Sequence, residues 1–591
     1  MCGIAGISMS VGFPAPDAGV LASLSKALGH RGPDGGGHSV LGRVALVHTR
    51  LAIIDVAGGD QPLHAGPATL IANGEVYNYR ELRAGLEAQS PGVAFATQSD
   101  CEPPLHLWLR DGPAYASELR GMYAIAIHER AQRSVTLTRD PFGIKPLYVA
   151  SIPGGMAFAS EAQALLGAGL VERRVNAGAR DELLQMQFTT GAASIFEGID
   201  RVLPGESIRI VDGHVLDRSR VASLPEGAPV VAASEEEALG RLDAALMRSV
   251  ELHQRSDVPY GMFLSGGVDS AAILAAMARL NSEPVLAFTA GFDVKGAADE
   301  RAQAAAVARA AGARHESLEI SEAMVWRHLP EIVACMDDPA ADYAIIPTWF
   351  LARRARQDVK VILCGEGGDE IFAGYGRYRS AMRPWWQGGR VMRSRGVFDK
   401  LEVLRAQPAA WRDGLAAAEA QASVLGRTRL GIAQATDIAD WLPHDLLLKL
   451  DRCLMAHGVE GRTPFLDAEL AATGFGLSDG EKVRSGRGKY LLRRWLERAM
   501  PEARPFAPKQ GFTVPIGAWI AARGAELGPL VAGSAGVMEV ARPERVVSLF
   551  KHAEGKREAQ AAWTLLFYAL WHRAHVEGAA PSGDVFEVLA A

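Results

Sequence analysis

Short apolar runs separated by glycine and proline dominate the first 220 residues of the chain. Clear examples lie at 44–48, 69–72, 122–127 and 134–138. Runs of this length, rich in branched and apolar side chains and bounded by turn residues, are typical of β-strands. The pattern therefore predicts packed antiparallel sheets with few helices in this part of the chain.

The pattern changes after a stretch rich in proline, glycine and alanine at 223–233, which lacks periodicity and is typical of a linker. Ser234 then precedes three glutamates, 235–237, as expected for a helix N-cap and first turn. Long helical patterns alternate with short apolar strands from there on, which predicts an α/β doubly wound parallel sheet. We predict a first domain at 1–220, a linker at 221–237 and a second domain at 238–591.

The composition is that of an ordinary globular chain. Its 591 residues are 48% hydrophobic and 22% charged, enough for at least two cores. A net charge of −6 gives no basic field, so no nucleic-acid partner is expected. No apolar run approaches the roughly 18 residues that span a bilayer, and no basic-then-apolar leader is visible. We expect no membrane partner and a cytoplasmic location.

The cysteines argue against structural cross-links. The five are Cys2, Cys101, Cys335, Cys364 and Cys453. An odd number without C-x-x-C spacing supports neither a disulfide framework nor a zinc site.

Cys2 follows the initiator methionine directly. Once Met1 is removed, the same residue carries a thiol and a free α-amine, which titrates at about 7.7–8.0 and can take the thiol proton without a histidine. The alternative is a chance Met-Cys start. A nucleophilic role requires that Met1 be cleaved.

A candidate phosphate loop opens the second half. Tyr260–Leu264 reads as a strand, Ser265-Gly266-Gly267-Val268-Asp269-Ser270 as a tight loop, and Ala271–Leu280 as a helix. Backbone N–H groups at a helix N-terminus suit an anion, the serines add donors, and Asp269 is a candidate Mg²⁺ ligand. The spacing differs from that of a Walker A loop. A glycine turn with a polar cap is the alternative.

A second loop, at the end of another predicted strand, also indicates a phosphate site. The apolar run 359–363 leads into Cys364-Gly365-Glu366-Gly367-Gly368-Asp369-Glu370. Ligands in open α/β sheets bind beyond the carboxyl ends of strands, where both loops would lie. Carboxylates beside phosphates need a cation, so Asp369 is the second Mg²⁺ candidate. The alternative is a solvated acidic turn.

Further motifs occur in order along the first half. They are Met1-Cys2-Gly3-Ile4, His30-Arg31-Gly32-Pro33-Asp34, Arg50-Leu51, Asn73-Gly74-Glu75-Val76-Tyr77-Asn78, Ser99-Asp100, Arg139-Asp140 and Gly143-Ile144-Lys145-Pro146-Leu147-Tyr148. With the 265–270 loop they resemble the glutamine-hydrolysing asparagine synthetases of the AsnB type over nearly the whole chain. The resemblance implies an α+β N-terminal-nucleophile (αββα) class II glutaminase domain followed by an α/β synthetase domain of the ATP-pyrophosphatase type.

For the glutaminase half, the resemblance implies that Cys2 attacks the side-chain amide of glutamine, forms a thioester and releases ammonia. The matching residues are Asn73 and Gly74 for the oxyanion hole, Arg50 for the glutamine α-carboxylate, and Glu75 and Asp100 for the substrate and its α-ammonium. A surface turn or salt bridge is the alternative for each.

For the second half, the resemblance implies that ATP adenylates the β-carboxylate of aspartate, and that ammonia, passing through a tunnel, then displaces AMP. ATP and Mg²⁺ are the expected cofactors. The matching residues are Leu264 and Ala290 for the adenine pocket, Ser265, Gly266, Gly267, Asp269 and Ser270 for the phosphates, Cys364 and Gly365 beside the nucleotide, Glu366 as general base, and Lys509 for phosphate charge. Tyr375 is a weaker candidate, and a homodimer is compatible with the resemblance.

Several positions depart from the family pattern. Cys101 stands where threonine is usual, Pro103-Pro104 begins a helix, and Cys364 replaces a serine with a weaker hydrogen-bonding thiol. The segment 377–429 contains many arginines and three tryptophans and resembles no part of the family chemistry. We expect a helical insertion with a solvated, partly packed face rather than a partner site.

Three functional hypotheses remain from the sequence. The first is an asparagine synthetase that uses glutamine nitrogen. The second keeps both half-reactions but amidates another acid, such as a sugar acid, a natural product or a peptide, or closes a ring as β-lactam synthetases and lasso-peptide cyclases do. Those ring-forming relatives usually lack the N-terminal cysteine. The third is a silent scaffold, whose signature would be a broken nucleophile or loop.

Overall fold

The fold was analysed in a computed structural model. It describes residues 2–89, 92–227, 234–293, 300–387, 389, 391–508 and 514–591. The strands are β1 (Gly3–Met9), β2 (Gly35–Leu41), β3 (Val44–Arg50), β4 (Leu63–Ala65), β5 (Ala68–Val76), β6 (Gly121–Glu129), β7 (Ser134–Arg139), β8 (Tyr148–Ile152), β9 (Gly155–Ala159), β10 (Ile199–Arg201), β11 (Glu206–Val211), β12 (His214–Arg220), β13 (Tyr260–Phe263), β14 (Leu286–Phe292), β15 (Arg314–Ile320), β16 (Val361–Leu363) and β17 (Glu460–Arg462).

Two antiparallel six-stranded sheets form the N-terminal half. Their strand orders are β10-β8-β9-β1-β3-β2 and β12-β11-β7-β6-β5-β4. The inner faces meet in a core that includes Ile4, Leu46, Ile71, Leu137 and Phe158, all at most 1% exposed. Because β3 and β5 are covered on both faces, they read as continuous buried runs rather than alternating ones.

Five helices belong to the same half as these two sheets. They are α1 (Ala18–Leu28), α2 (Tyr79–Gln89), α3 (Glu102–Asp111), α4 (Ala162–Gly167) and α5 (Ala177–Met186). α1 and α4 contact the first sheet, and α3 contacts the second. Helix, sheet, sheet and helix therefore follow one another, which is the αββα architecture of the predicted glutaminase.

The third sheet is parallel throughout, with the order β15-β14-β13-β16-β17. The connections run outward in both directions from β13, so the sheet is doubly wound as predicted. The direction of winding reverses between β13 and β16, which is where such sheets bind ligands beyond the carboxyl ends of their strands.

Nineteen further helices are present in the described C-terminal residues. They are α6 (Glu235–His253), α7 (Val268–Leu280), α8 (Arg301–Ala310), α9 (Glu322–Ala334), α10 (Ile345–Ala355), α11 (Gly368–Ile371), α12 (Gly376–Met382), α13 (Asp413–Ala422), α14 (Arg429–Thr436), α15 (Leu447–Met455), α16 (Ala468–Phe475), α17 (Asp479–Lys482), α18 (Tyr490–Ala499), α19 (Ile516–Ala522), α20 (Gly524–Gly533), α21 (Ala535–Val540), α22 (Pro543–Lys551), α23 (Lys556–His575) and α24 (Val585–Ala590). None of the helices in the described ranges is both long and apolar enough to cross a bilayer.

The predicted start of the second half agrees with the structure. The Ser234 hydroxyl accepts a hydrogen bond from the Glu237 backbone N–H at 3.1 Å, so it caps α6. Part of the predicted linker, 228–233, lies outside the described residues. The domain limits themselves stay a prediction.

The segment 377–429 is less helical than predicted. The described residues between α12 and α13 are mostly irregular, because their apolar side chains are held by loop contacts rather than by a helix face. Val397 N–H donates to the Gln185 carbonyl of α5 at 2.9 Å, and Val397 and Phe398 are buried. Trp386 is 65% exposed. This segment therefore packs across both halves of the molecule.

Candidate active sites

Cys2 lies at the start of β1, which pairs with β3 and β9 in the centre of the first sheet. The residue is 8% exposed, and its carbonyl accepts a hydrogen bond from Arg31 Nε at 3.1 Å. Burial raises the pKa of the Cys2 thiol, while a hydrogen bond from the Leu51 backbone partly opposes that rise. Met1 lies outside the described residues.

Asn73 is the side chain that contacts Cys2. Its Oδ1 accepts a hydrogen bond from the Cys2 backbone nitrogen at 3.3 Å, the nitrogen that becomes the α-amine once Met1 is removed. Its Nδ2 is buried and has no partner among the described residues. A buried, unpaired amide donor is costly in a folded chain and is expected where a ligand oxygen binds.

Gly74 follows Asn73 in β5 and can only be glycine in this conformation. Its φ is +151°, and a Cβ would collide with the Met122 carbonyl oxygen on β6. The close approach of β5 and β6 therefore fixes the backbone next to Asn73. Of the predicted pair, Asn73 contacts Cys2 and Gly74 is its neighbour in β5, and their role as an oxyanion hole stays a prediction.

Two buried carboxylates complete this side of the site. The Asp100 carboxylate accepts a hydrogen bond from the Val76 N–H at 2.8 Å, and burial raises its pKa to about 6. Burial, Asp100 and Glu460 hold the pKa of Glu75 well above its usual range. Glu75 Oε2 has no hydrogen-bond partner among the described residues.

Arg50 ends β3 next to Leu51 and closes a loop. Its guanidinium donates to the carbonyls of Asp55 at 2.6 Å and Val56 at 3.1 Å, and to the exposed Asp60 carboxylate at 2.9 Å. Arg50 is 7% exposed. Its role as a carboxylate clamp stays a prediction.

The C-terminal half contributes two further residues to the site around Cys2. The sequence had not indicated either of them. Glu460 and Arg462 form β17, and Arg462 Nε donates to Glu460 Oε1 at 2.6 Å. Arg462 Nη2 lies 3.4 Å from Glu75 Oε1, and the charge of Glu460 acts on both Cys2 and Glu75. A three-residue strand carries too little pattern to be found in the sequence.

The predicted phosphate loop is tightly folded after β13. The Ser265 and Ser270 hydroxyls are 2.9 Å apart, and Gly267 N–H donates to Ser265 Oγ at 3.1 Å. Gly266 N–H donates to Glu300 Oε2 at 3.1 Å. α7 begins at Val268, earlier than predicted, and no side chain caps it. Its first N–H groups could therefore bind an anion without competition from a capping side chain.

The loop after β16 lies against the phosphate loop, as the two strand ends predicted. A Cβ added to Gly365 would lie 3.1 Å from Asp269 Cβ, and one on Gly368 would lie 2.6 Å from Asp269 Oδ1. Cys364 is 2% exposed, and its thiol lies 3.9 Å from the carbonyl oxygen of Ile362 in the preceding strand, β16.

Lys489 contacts both predicted metal ligands. The sequence had not indicated this residue. Its ammonium contacts Asp269 and lies 2.6 Å from Asp369 Oδ1. Burial lowers the pKa of Lys489, but the two carboxylates outweigh that effect and hold it above its usual value. No motif singled this lysine out, because it precedes an ordinary amphipathic helix, α18.

Glu366 lies close to the second buried lysine, Lys449 of α15. Burial raises the pKa of Glu366, while Lys449 opposes the rise. Lys449 Nζ donates to Asp342 Oδ2 at 2.9 Å. A carboxyl group with a raised pKa at a strand end is suited to accepting a proton.

The remaining predicted residues lie at or beyond the edges of this site. Leu264 and Ala290 are buried at the ends of β13 and β14, and Leu264 N–H donates to the Phe288 carbonyl at 2.8 Å. Lys509 lies outside the described residues, so its assignment to phosphate stays a prediction. Tyr375 donates to Glu370 Oε1 at 2.9 Å and therefore borders the site.

Comparison with known proteins identifies the family of each half. Residues 241–573 match the asparagine synthase family, and residues 1–219 match the glutamine amidotransferase domain. The chain belongs to the asparagine synthase family. The predicted resemblance is confirmed, and with it the order of an N-terminal-nucleophile glutaminase fold and a synthetase fold.

Relatives of this asparagine synthase family member differ in their names. A Mycobacterium tuberculosis protein provisionally named a glutamine-hydrolyzing asparagine synthetase is 34% identical, with 98% of each chain covered. The Bacillus subtilis asparagine synthetase (glutamine-hydrolyzing) 1 is 31% identical over 98% of this chain and 97% of its own. A Penicillium rubens protein named amidase chyE is 30% identical over 60% of this chain and 54% of its own.

A buried ion-pair network joins the two halves of this family member. Arg31 Nη1 donates to Glu161 at 2.7 Å and to Asp451 of α15 at 2.8 Å. Arg452 donates to Asp337 at 2.7 Å. All five side chains are at most 2% exposed. The same arginine that holds the Cys2 carbonyl is therefore tied to a helix of the synthetase half.

Proposed function

We propose that this asparagine synthase family member is a glutamine-dependent asparagine synthetase. Glutamine, ATP and aspartate would give glutamate, asparagine, AMP and pyrophosphate. The observation that carries the proposal is the pairing of Cys2 with Asn73, whose Oδ1 accepts from the Cys2 nitrogen while its Nδ2 lies buried and unpaired. A nucleophile with an adjacent, unused oxyanion donor supports amide hydrolysis better than a structural role.

In the first half-reaction, the Cys2 sulfur attacks the side-chain carbonyl of glutamine after its proton passes to the α-amine. Asn73 Nδ2 and the Gly74 N–H would bind the oxyanion that develops in the tetrahedral intermediate. Expulsion of ammonia leaves a γ-glutamyl thioester, which water hydrolyses to glutamate. Asp100 and Glu75 would hold the α-ammonium, and Arg50 the α-carboxylate.

In the second half-reaction, an oxygen of the aspartate β-carboxylate attacks the α-phosphorus of ATP, and pyrophosphate leaves. Ser265, Ser270 and the N-terminus of α7 would bind the phosphates, and Lys489 would neutralise part of their charge. Ammonia from the first site then attacks the activated carbonyl and AMP leaves. Glu366 would accept the proton that ammonia loses.

Mg²⁺ fits the same residues. Asp269 and Asp369 supply the oxygen ligands that this ion prefers, and Mg²⁺ is usually held by one or two carboxylates together with substrate phosphates. The two carboxylates converge on Lys489, so they lie close enough to share a cation. When bound, the ion would supply further charge neutralisation for the triphosphate.

The second candidate is an amidotransferase with another carboxylic acid as acceptor. It is favoured by the relative named an amidase. Both candidates share the glutaminase and the adenylation step. They differ only in the acid that is activated.

The deciding experiment follows products from glutamine and Mg-ATP with aspartate. Asparagine, glutamate, AMP and pyrophosphate should form together. The Cys2→Ala variant should lose synthesis from glutamine by at least about 10³-fold yet keep synthesis from added ammonium, because only the nucleophile is removed. Cys335→Ala is the matched control, because it removes a thiol that is distant from Cys2 in the sequence.

Two results would contradict parts of the proposal. Amidation of another acid with no asparagine would replace aspartate but keep the reaction class. Loss of both glutamine- and ammonium-dependent synthesis in Cys2→Ala would show that Cys2 is structural.

A further inference from the structure

Trp441 is the centre of a cluster that no proposed step has used. It lies in a π-helical segment, Asp437–Leu446, that leads directly into α15. The guanidinium carbon of Arg393 lies 4.8 Å from the centre of the Trp441 ring and 4.9 Å from that of Phe188. The indole N–H donates to Asp445 Oδ2 at 2.7 Å. One tryptophan therefore holds a cation on its face and a carboxylate on its edge.

Both charged groups keep unused hydrogen-bonding atoms. Nε and Nη2 of Arg393 are shielded from solvent and have no hydrogen-bond partner among the described residues. The same holds for Oδ1 of Asp445, a residue only 5% exposed. Nearly all buried polar atoms of folded proteins are paired, so this combination is expected where a ligand completes the set.

A second arginine on the same ring shows the contrast. The Arg377 guanidinium carbon lies 4.1 Å from the Trp441 ring centre, and its Nε donates to Asp437 Oδ2 at 2.9 Å. Arg377 thus has its counter-ion within the protein. Arg393, on the same aromatic surface, has no carboxylate at hydrogen-bond distance among the described residues.

The unused atoms have the geometry of a carboxylate site. Nε and Nη2 form one edge of the guanidinium, with two nearly parallel N–H bonds, and this edge binds both oxygens of a carboxylate at once. Asp445 Oδ1 is an acceptor and suits an ammonium group. Nε and Nη2 of Arg393 and Oδ1 of Asp445 are shielded from water, which strengthens both interactions.

The cluster borders the reacting groups on two sides. Tyr375 lies 5.1 Å from Trp441, ring centre to ring centre, and donates to Glu370 in the loop after β16. Asp445 precedes Lys449 by about one helical turn. The charge of Lys449 acts on both Asp445 and Glu366. Asp445 and the proposed general base are therefore both close to Lys449.

We propose that Arg393 and Asp445 form the recognition site for the non-reacting end of the acceptor. Arg393 binds the carboxylate that is not activated, and Asp445 binds the ammonium beside it. The inference rests on the proposed function, since it assigns the acceptor to the same synthetase site. It makes the segment 377–446 the determinant of acceptor specificity.

The test uses the full-length enzyme with ammonium as the nitrogen source, so that the glutaminase site does not enter. The variants are Arg393→Gln, Arg393→Lys and Asp445→Asn, with the exposed Arg395→Gln as matched control. For each variant, KM for aspartate, KM for ATP and kcat are measured, together with glutaminase activity as a check on folding. Succinate, which lacks the ammonium, and β-alanine, which lacks the α-carboxylate, are tested as competitive inhibitors.

Arg393→Gln should raise KM for aspartate about 10- to 100-fold, as expected for lost hydrogen bonds between charged groups, with kcat and KM for ATP within about threefold. Arg393→Lys should fall between wild type and Arg393→Gln. Arg393→Gln should weaken inhibition by succinate but not by β-alanine, and Asp445→Asn should do the reverse. A purely structural role would not separate the two inhibitors.

Two results would overturn the inference. One is a KM for aspartate within twofold of wild type in Arg393→Gln. The other is an equal loss of both inhibitors in either variant. If the wild-type enzyme instead amidates another acid and makes no asparagine, the proposed function fails separately. The inference then stands only if that acid carries a second carboxylate and an amine, and its KM rises in Arg393→Gln.

Discussion

Asp100 is a single carboxyl group whose protonation should control glutamine binding. Its neighbours are Glu75, Glu460, Cys101 and Arg462, and burial raises its pKa to about 6. Above that pH the carboxylate is charged and can bind the glutamine α-ammonium. We expect kcat/KM for glutamine to fall as the pH decreases through about 6, and Asp100→Asn to show a low value without this inflection.

The same pKa predicts a stability effect of opposite sense. The unfolded pKa of an aspartate is about 3.9, so the folded state binds the proton more tightly. This contribution to stability is present below about pH 4 and is lost as the pH rises through about 6. Asp100→Asn should therefore be more stable than wild type at pH 8, by roughly 1–3 kcal/mol on urea unfolding. An unchanged or lower stability there would contradict the raised pKa.

Which site residues the sequence could reveal depends on where they lie along the chain. Cys2, Asn73, Gly74 and Asp100 belong to local motifs that keep their spacing. Glu460, Arg462 and Lys489 reach the sites only through tertiary packing, and nothing in their neighbourhood marks them. Arg393 belonged to a segment rich in arginine, where composition cannot separate a buried guanidinium from exposed ones.

The paired strands β5 and β6 hold the backbone of the proposed glutaminase site in place. A methyl group on Gly74 would meet the Met122 carbonyl, so Gly74→Ala must separate the two strands or distort the backbone next to Asn73. We expect a loss of about 1–3 kcal/mol of stability, together with loss of glutaminase activity. Thermal unfolding and glutamate release measure the two effects.

Gly85→Ala is the matched control for that change. Gly85 lies inside α2, and a Cβ there would meet nothing within 4 Å. Because alanine favours helix, this variant should gain about 0.5–1 kcal/mol. Equal effects of the two substitutions would show that close strand contact at Gly74 is not the cause.

Strands and helices with strong periodic patterns were predicted well. The apolar runs at 44–48, 69–72, 122–127 and 134–138 are parts of β3, β5, β6 and β7, and the 260–280 unit is β13 followed by α7. The described part of the segment 377–429 is less helical than predicted because long-range contacts, such as that of Val397 with α5, determine its path. Sequence periodicity does not report such contacts.

The buried ion-pair network around Arg31 and Asp451 connects the two catalytic halves of the molecule. Asp451→Asn would leave Arg31 and Arg452 short of a buried counter-charge, which typically costs about 3–5 kcal/mol. We expect the denaturant concentration at the midpoint of unfolding to fall accordingly. We also expect the rate of glutamine hydrolysis to exceed the rate of amide synthesis. Exposed Glu197→Gln, which removes a surface ion pair with Arg174, should cost less than about 1 kcal/mol.

Strand β17 has only three residues, yet it contributes to both proposed active sites. Its side chains Glu460 and Arg462 border Cys2 and Glu75, and the Arg462 carbonyl accepts a hydrogen bond from the Cys364 N–H at 2.8 Å beside the nucleotide loop. If binding of one proposed substrate displaces β17, this backbone hydrogen bond links the displacement to the other site. Thermodynamic linkage then makes the effect reciprocal: whatever factor ATP imposes on glutamine affinity, glutamine must impose on ATP affinity.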